Sequence, residues 1–191
     1  MFSELIKRNR SYRRFYQKET VSLDTLRQLV DYARLSPSGA NRQPLRYWLS
    51  VDPTSNAQIY PNLAWAGYLT DWPGPVEGER PAAYIIILED ETVKMVGGVD
   101  HGIAAQSILL GAVEKGLGGC IIAAIKKEGL QEIIDLEGYE IRLVVALGKP
   151  KEEVMVEHLG PDGSVRYWRD EQQVHHVPKR SLSDLIVGEK G

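Results

Sequence analysis

Apolar positions in VSLDTLRQLVDYARLS recur at helical spacing, with Leu23, Leu26, Leu29, Val30 and Ala33 on one stripe. Ser22 offers an N-cap hydroxyl and Asp24 a negative charge in the first turn, so a helix starts here. Pro37 should stop it, because the residue before a proline is pushed out of helical geometry. LRYWLSV then alternates and predicts a strand. AAYIIIL is a continuous apolar run, the pattern of a strand covered on both faces. DHGIAAQSILLGAVEKGLGG predicts a helix with Asp100 as its cap and Gly116 at its end. Within it Ile103 to Val113 is broken only by Gln106 and Ser107, so this helix is buried on most sides. A subunit interface is one source of that cover. CIIAAI and IRLVVAL predict two further strands, with the helix KKEGLQEIIDL between them.

Residues 53–81 hold five prolines and three glycines and read as loops around one short helix. The tail alternates between polar and apolar, with GSVRYWRD as an edge strand or hairpin and SLSDLI as a final helical turn. The sum is a single domain over 1–191 of the α+β class, with a sheet of four or five strands.

The chain has 191 residues, 43% hydrophobic and 26% charged, as a globular domain of ordinary size should. A net charge of -3 gives no argument for a nucleic-acid partner. No apolar run reaches the ~18 residues that span a bilayer, so no membrane role is expected. The first residues, MFSELIKRNR, show no apolar signal core, and the one cysteine, Cys120, has no partner for an internal disulfide. Both features make the cytoplasm the default location.

The charge is uneven. Residues 1–18 carry Lys7, Arg8, Arg10, Arg13, Arg14 and Lys18 against Glu4 alone. In NRSYRRF, Arg10, Ser11 and Arg13 could bring two guanidinium forks and a hydroxyl to one phosphate; the end of a surface helix would read the same way. In SPSGANRQPLR, Gly39 permits close approach of a ligand, Pro37 and Pro44 hold shape, and Ser38, Asn41 and Gln43 both donate and accept hydrogen bonds. That mix suits a flat heterocycle with mixed edges, and it also suits a plain connection with Asx-type turns. Lys179 and Arg180 precede the last turn and offer a second hand to a phosphate or a solvated tail. Trp65, Tyr68 and Trp72 could stack on an aromatic substrate or pack internally. Cys120 reads as a small buried hydrophobe, and His101 as a structural neighbour of Asp100. His175 and His176 face opposite ways on a strand, and no further ligands at suitable spacing suggest a metal. GLGG reads as a helix C-cap and turn rather than a dinucleotide fingerprint.

Taken in order, NRSYRRF, SPSGANRQPLRYW, DHGIAAQSILLGAVEKGLGGCIIAAI, LGKPKEE and KRSLSDLI resemble the FMN-dependent nitroreductase family over almost the whole chain. The resemblance implies a nitroreductase-like fold with a central, mostly antiparallel sheet flanked by helices. It also implies a homodimer with an intertwined interface and FMN between the subunits. On that basis Arg10, Ser11 and Arg13 would hold the FMN phosphate and nearby ring edge. Pro37, Ser38, Gly39, Asn41 and Gln43 would line the isoalloxazine, some of them from the partner. Ile122, Ala123 and Ala124 would approach the ring through backbone groups, and Lys179 and Arg180 would close on the phosphate. The implied activity is transfer of hydride from NADH or NADPH through the flavin to a nitroaromatic, quinone or related small acceptor, with no catalytic side chain. Related flavoproteins instead remove halogens reductively, fragment the flavin, or bind it without turnover. Two departures are visible: position 9 is Asn where the family commonly has a basic residue, and an acidic residue found near the flavin in some members has no counterpart in IIAAIKKE.

Overall fold

The computed structural model describes residues 1–191. The chain opens on a short helix, α1 (Phe2–Arg8), that buries none of its residues. Helix α2 (Leu23–Arg34) begins where Ser22 Oγ accepts the Thr25 N–H at 3.0 Å, and its apolar stripe buries Leu26, Leu29 and Ala33. Strand β1 (Leu45–Ser50) follows, then α3 (Pro53–Ile59), capped by the Asp52 carboxylate on Ser55 N–H at 2.7 Å. Next come β2 (Ala83–Asp90), α4 (Asp100–Glu114), β3 (Gly118–Ile122), α5 (Lys127–Ile134) and β4 (Tyr139–Gly148).

These strands form an antiparallel sheet in the order β1-β2-β4-β3. The two central strands are the most apolar segments of the chain, and Ala83 to Leu88 and Leu143 to Leu147 are buried throughout. Leu26 and Leu29 of α2 and Ala105, Ile108 and Ala112 of α4 close the core over Ile85, Ile87, Val145 and Leu147. The class is therefore α+β, a sheet flanked by helices, as the patterning predicts.

Three local expectations are corrected. The expected CIIAAI strand begins two residues earlier and ends at Ile122, leaving Ala123 and Ala124 outside it. Gly118 and Gly119 belong to the strand and not to a turn. A Cβ on Gly118 would meet the Tyr12 ring at 2.5 Å, and one on Gly119 would press on Leu109 at 2.7 Å. Close packing, not a bend, excludes a side chain at both. Only Gly116, with φ of +72, ends α4 in the expected way. Asp100 does not cap α4: the helix starts from Val99 without a side-chain cap, and the Asp100 carboxylate is used elsewhere. Helix α4 packs on α1, α2, β3 and β4, so its own chain supplies most of the cover it needs.

Contacts divide the chain into two compact units, Met1–Trp65 with Pro73–Lys151, described above, and Ala66–Trp72 with Glu152–Gly191. The second unit holds β5 (Val154–His158), β6 (Trp168–Arg169) and β7 (His175–Lys179) in the order β5-β7-β6. Strand β5 runs parallel to β7, and β6 antiparallel to it. GSVRYWRD contributes only the two residues of β6, at the sheet edge. Helix α6 (Leu182–Leu185) is the final turn, with a capping box between Ser181 and Asp184. No helix is long and apolar enough to cross a membrane.

Candidate functional site

The connection 36–46 is shaped by its hold on α4. Asp100 is 3% exposed and receives the Ser38 hydroxyl at 2.5 Å and the Gly39 N–H at 3.0 Å. Ser38 Oγ in turn accepts the Gln43 N–H at 2.9 Å, and the Ser36 and Ser107 hydroxyls lie 2.7 Å apart. Ala40, Asn41 and Gln43 all take left-handed backbone angles, φ of 48, 52 and 51. A Cβ on Gly39 would collide with the backbone oxygen of Val96, which is why glycine stands there. The Ser38 hydroxyl is thus committed inward, its proton to Asp100 and a lone pair to Gln43 N–H. Pro37, Asn41 and Gln43 are left exposed. Behind the loop a cavity of about 150 Å³ is bounded by Ser38, Gln43, Tyr47 and Asp100. Burial, and the Asp100 charge, push the Tyr47 hydroxyl up to about 12, so it keeps its proton.

The basic segment meets α4 through Asn9, next to Gln106. Ser11 pairs with Gly119 of β3, and Tyr12 N–H donates to Gly119 C=O at 3.0 Å, so residues 11–12 line the edge strand of the sheet. Arg10 donates to the Ile6 C=O at 2.8 Å, while its buried Nε has no partner in the protein. Arg13 donates to the Ser11 C=O at 3.2 Å. Arg14 turns away and grips Glu79 through two bonds of 2.6 and 2.7 Å, with Lys151 on the same carboxylate at 2.9 Å. The Arg14 hydrogen bonds, assisted by Lys151 and opposed by burial, pull the Glu79 carboxyl down to about 2. Arg14 is therefore structural, and Arg10 and Arg13 remain on either side of Ser11. Asn9, the departure noted above, donates to Gln106 of α4 at 3.3 Å.

Ile122, the last residue of β3, is buried, and Ala123 and Ala124 beyond it are exposed. Ala124 C=O accepts the Ala64 N–H at 2.9 Å, Leu63 bridges Ile125, and Asn62 C=O accepts the Lys126 N–H at 2.9 Å. This turn of small residues is thereby fixed at the end of the strand whose Gly119 seats Ser11. At about 3.3 Å per residue, four residues separate them by roughly 13 Å. The basic cluster and Ile122–Ala124 thus share one sheet edge, whereas Pro37–Gln43 is held at the start of α4.

Trp65 is buried and stacks on Tyr60 at 5.9 Å. Tyr68 and Trp72 belong to the second unit, where Arg166 lies 4.8 Å over the Tyr68 ring and Arg169 lies 4.6 Å over Trp72. Lys179 ends β7 in that unit, and Lys179 and Arg180 are both exposed. His, Cys, Asp and Glu side chains do not gather anywhere into a group that could hold a metal ion. Sequence reasoning missed Asp100 as the anchor of the loop and the Arg14–Glu79–Lys151 cluster. An acid opening an otherwise apolar helix was the one signal for the first, and none marked the second.

The model of the nitroreductase family matches residues 6–149. The chain belongs to the nitroreductase family. The matched span includes Arg10, Ser11, Arg13, the 37–43 loop and Ile122–Ala124, and stops short of Lys179 and Arg180. No curated protein matches the sequence. Among solved structures, a nitroreductase-family protein of Streptococcus pneumoniae superposes with a TM-score of 0.70 at 16% identity, covering 100% of both chains. An FMN-dependent nitroreductase of Clostridium difficile gives 0.62 at 23% identity, over 78% of this chain and 87% of its own. A Clostridium acetobutylicum protein described as an NADH oxidase gives 0.60 at 22% identity, over 77% and 87%. At these identities the likeness is one of fold.

Proposed function

We propose that this nitroreductase-family chain is a flavin oxidoreductase that binds FMN as a homodimer. The observation that carries the reading is the edge of β3, where Ser11 is seated between Arg13 and an Arg10 whose buried Nε has no protein partner. An orphaned guanidinium nitrogen on Arg10, with Arg13 and the exposed Ser11 within three residues of it, fits a phosphate, which accepts charge-assisted hydrogen bonds from several donors at once. Along the same edge, the exposed Ala123 and Ala124 have side chains small enough for a flat ring to approach, and the Asp100-anchored loop presents Asn41 and Gln43. Similar structures described as FMN-dependent and as an NADH oxidase agree with this chemistry.

In this reading Arg10, Ser11 and Arg13 hold the phosphate. Pro37, Gly39, Asn41 and Gln43 orient the ring, and Ser38 shapes the loop rather than touching the ligand. FMN bound there would supply the redox chemistry, hydride transfer from NADH or NADPH to a small acceptor such as a quinone or nitroaromatic. The chain contributes binding, orientation and exclusion of water. Tyr47, protonated well above neutral pH, keeps the loop's rear wall neutral beside the Asp100 charge.

Arg10→Ala and Arg13→Ala should each weaken FMN binding by about 1.5–3 kcal/mol, the scale of one charged hydrogen bond. Titration followed by flavin fluorescence measures this, and circular dichroism should show the fold intact. Unchanged affinity in both variants would remove the phosphate from this position. A protein that neither purifies yellow nor takes up added FMN would end the reading.

A further inference from the structure

His176 lies on β7, the central strand of the second unit's sheet, and is 8% exposed. Both ring nitrogens face carboxylates. Nδ1 is 2.5 Å from Glu157 Oε1 on β5, and Nε2 is 3.1 Å from Asp170 Oδ2 just past β6. An ionised carboxylate only accepts hydrogen bonds, and a neutral imidazole donates from one nitrogen alone. Only the doubly protonated ring satisfies both partners, so the geometry selects imidazolium. Trp168 lies flat against that ring, centroids 4.0 Å apart and planes within 5°, where its π face attracts a cation.

What this charge holds is slight by itself. Strand β6 pairs only Trp168 with His176 and Arg169 with His175. Side chains along 167–170 alternate between two duties. Trp168 and Asp170 go to His176. Tyr167 packs on the Tyr68 ring at 4.9 Å and accepts the Tyr68 N–H at 3.3 Å, and Arg169 lies over Trp72. The same Arg169 is paired with the buried Glu152 carboxylate at 2.6 Å.

We infer that His176 is a positioning residue: as imidazolium it fixes residues 167–170, through them it fixes the 66–72 segment with Tyr68 and Trp72, and on losing its proton it releases that segment. The functional consequence rests on the oxidoreductase reading above, with Tyr68 and Trp72 meeting the electron acceptor. The charged groups around the ring are Glu157 from β5 and Asp170 beyond β6. The Arg169–Glu152 pair flanks them, and the neighbouring His175 ring lies 5.1 Å from Tyr167. Burial opposes the charge, but the bonds to Asp170 and Glu157 and their negative charges outweigh it, holding His176 above the ordinary imidazole value. The bond from His176 holds Asp170 below the ordinary carboxylate range. The clamp is therefore complete between those two values, lost as pH falls through the lowered Asp170 pKa, and lost as pH rises through the raised His176 pKa.

The test uses the full-length protein with FMN added. The His176 ring is titrated by proton NMR, and hydrogen exchange, corrected for the intrinsic effect of pH, is read in peptides covering 66–72 and 166–171. Protection in both should fall at least tenfold as His176 deprotonates, while β2 stays protected. His176→Gln should show the open level at every pH. A quinone acceptor's KM should rise through the same transition with kcat little changed. A His176 pKa at or below the ordinary imidazole value overturns the inference, as does protection in 66–72 that ignores the titration. The wild-type titration decides this even where the variant fails to fold. An acceptor KM that stays flat while exchange changes overturns the functional consequence. Flavin retained by the same samples after desalting tests the oxidoreductase reading separately, since a chain that keeps none would sink it and leave the exchange result standing.

Discussion

Arg13 and Arg14 are neighbours in sequence and serve different ends. Arg14 spends both arms of its guanidinium on Glu79, both being largely buried, and the exposed Lys151 completes the cluster. Breaking such a pair leaves a charge without its partner, a loss of about 3 kcal/mol or more in a buried setting. Glu79→Gln should destabilise the protein by that order near neutral pH, read from chemical denaturation. The pH dependence has a fixed sign. Because the folded Glu79 pKa is lowered to about 2, its contribution is complete above the unfolded carboxyl value and disappears as pH falls toward 2. Wild-type stability should fall between about pH 5 and 2, and the Gln variant should lose less over that range; equal losses would deny Glu79 this role. At this scale the sequence was only partly legible. NRSYRRF offered a candidate anion site, but the separation of Arg14 from Arg10 and Arg13 depends on Glu79, 65 residues away. No local pattern carries that contact.

Elements were more legible, because periodicity is a local property. Helix α2 starts at the residue after Ser22 and buries three positions of its predicted stripe. Ser22→Ala should cost about 1 kcal/mol, the usual worth of a side-chain cap, and lower the melting temperature by several degrees. An unchanged melting temperature would show that tertiary packing alone holds the helix end. The misplaced boundaries fell where glycine served packing. Gly118 and Gly119 look like turn residues on paper, yet they lie in a strand because Tyr12 and Leu109 occupy the space of their side chains. Strand β5, with VMVEH as its whole length, gives too short an alternation to separate from loop.

For the whole molecule, the patterning predicted the α+β class, and an apolar α4 raised the matter of a second subunit. The chain covers most of α4 itself, but its first unit still carries exposed apolar side chains at Phe2, Ile6 and Leu35. An open groove of about 320 Å³ beside them is lined by Leu5, Tyr32, Leu35 and Leu110. Exposed apolar surface of this kind marks an interface more often than free solvent. In the proposed dimer, Leu35→Glu should shift sedimentation toward the monomer and reduce retained FMN, since the ring site draws on both protomers. A variant that sediments as the wild type would place the contact elsewhere.

Ser11 finds its place on Gly119, and Phe15, fully enclosed, closes against Pro150 and Gly148. Residues 11–15 therefore wait for some of the last-made residues of the first unit before they have anywhere to rest. A nascent polypeptide short of Pro150 carries Arg10 and Arg13 on an unanchored leader, so capture of an anion is a late event in its synthesis. Protease pulses on stalled chains of graded length should find the leader cleavable until β4 has emerged, and resistant soon after.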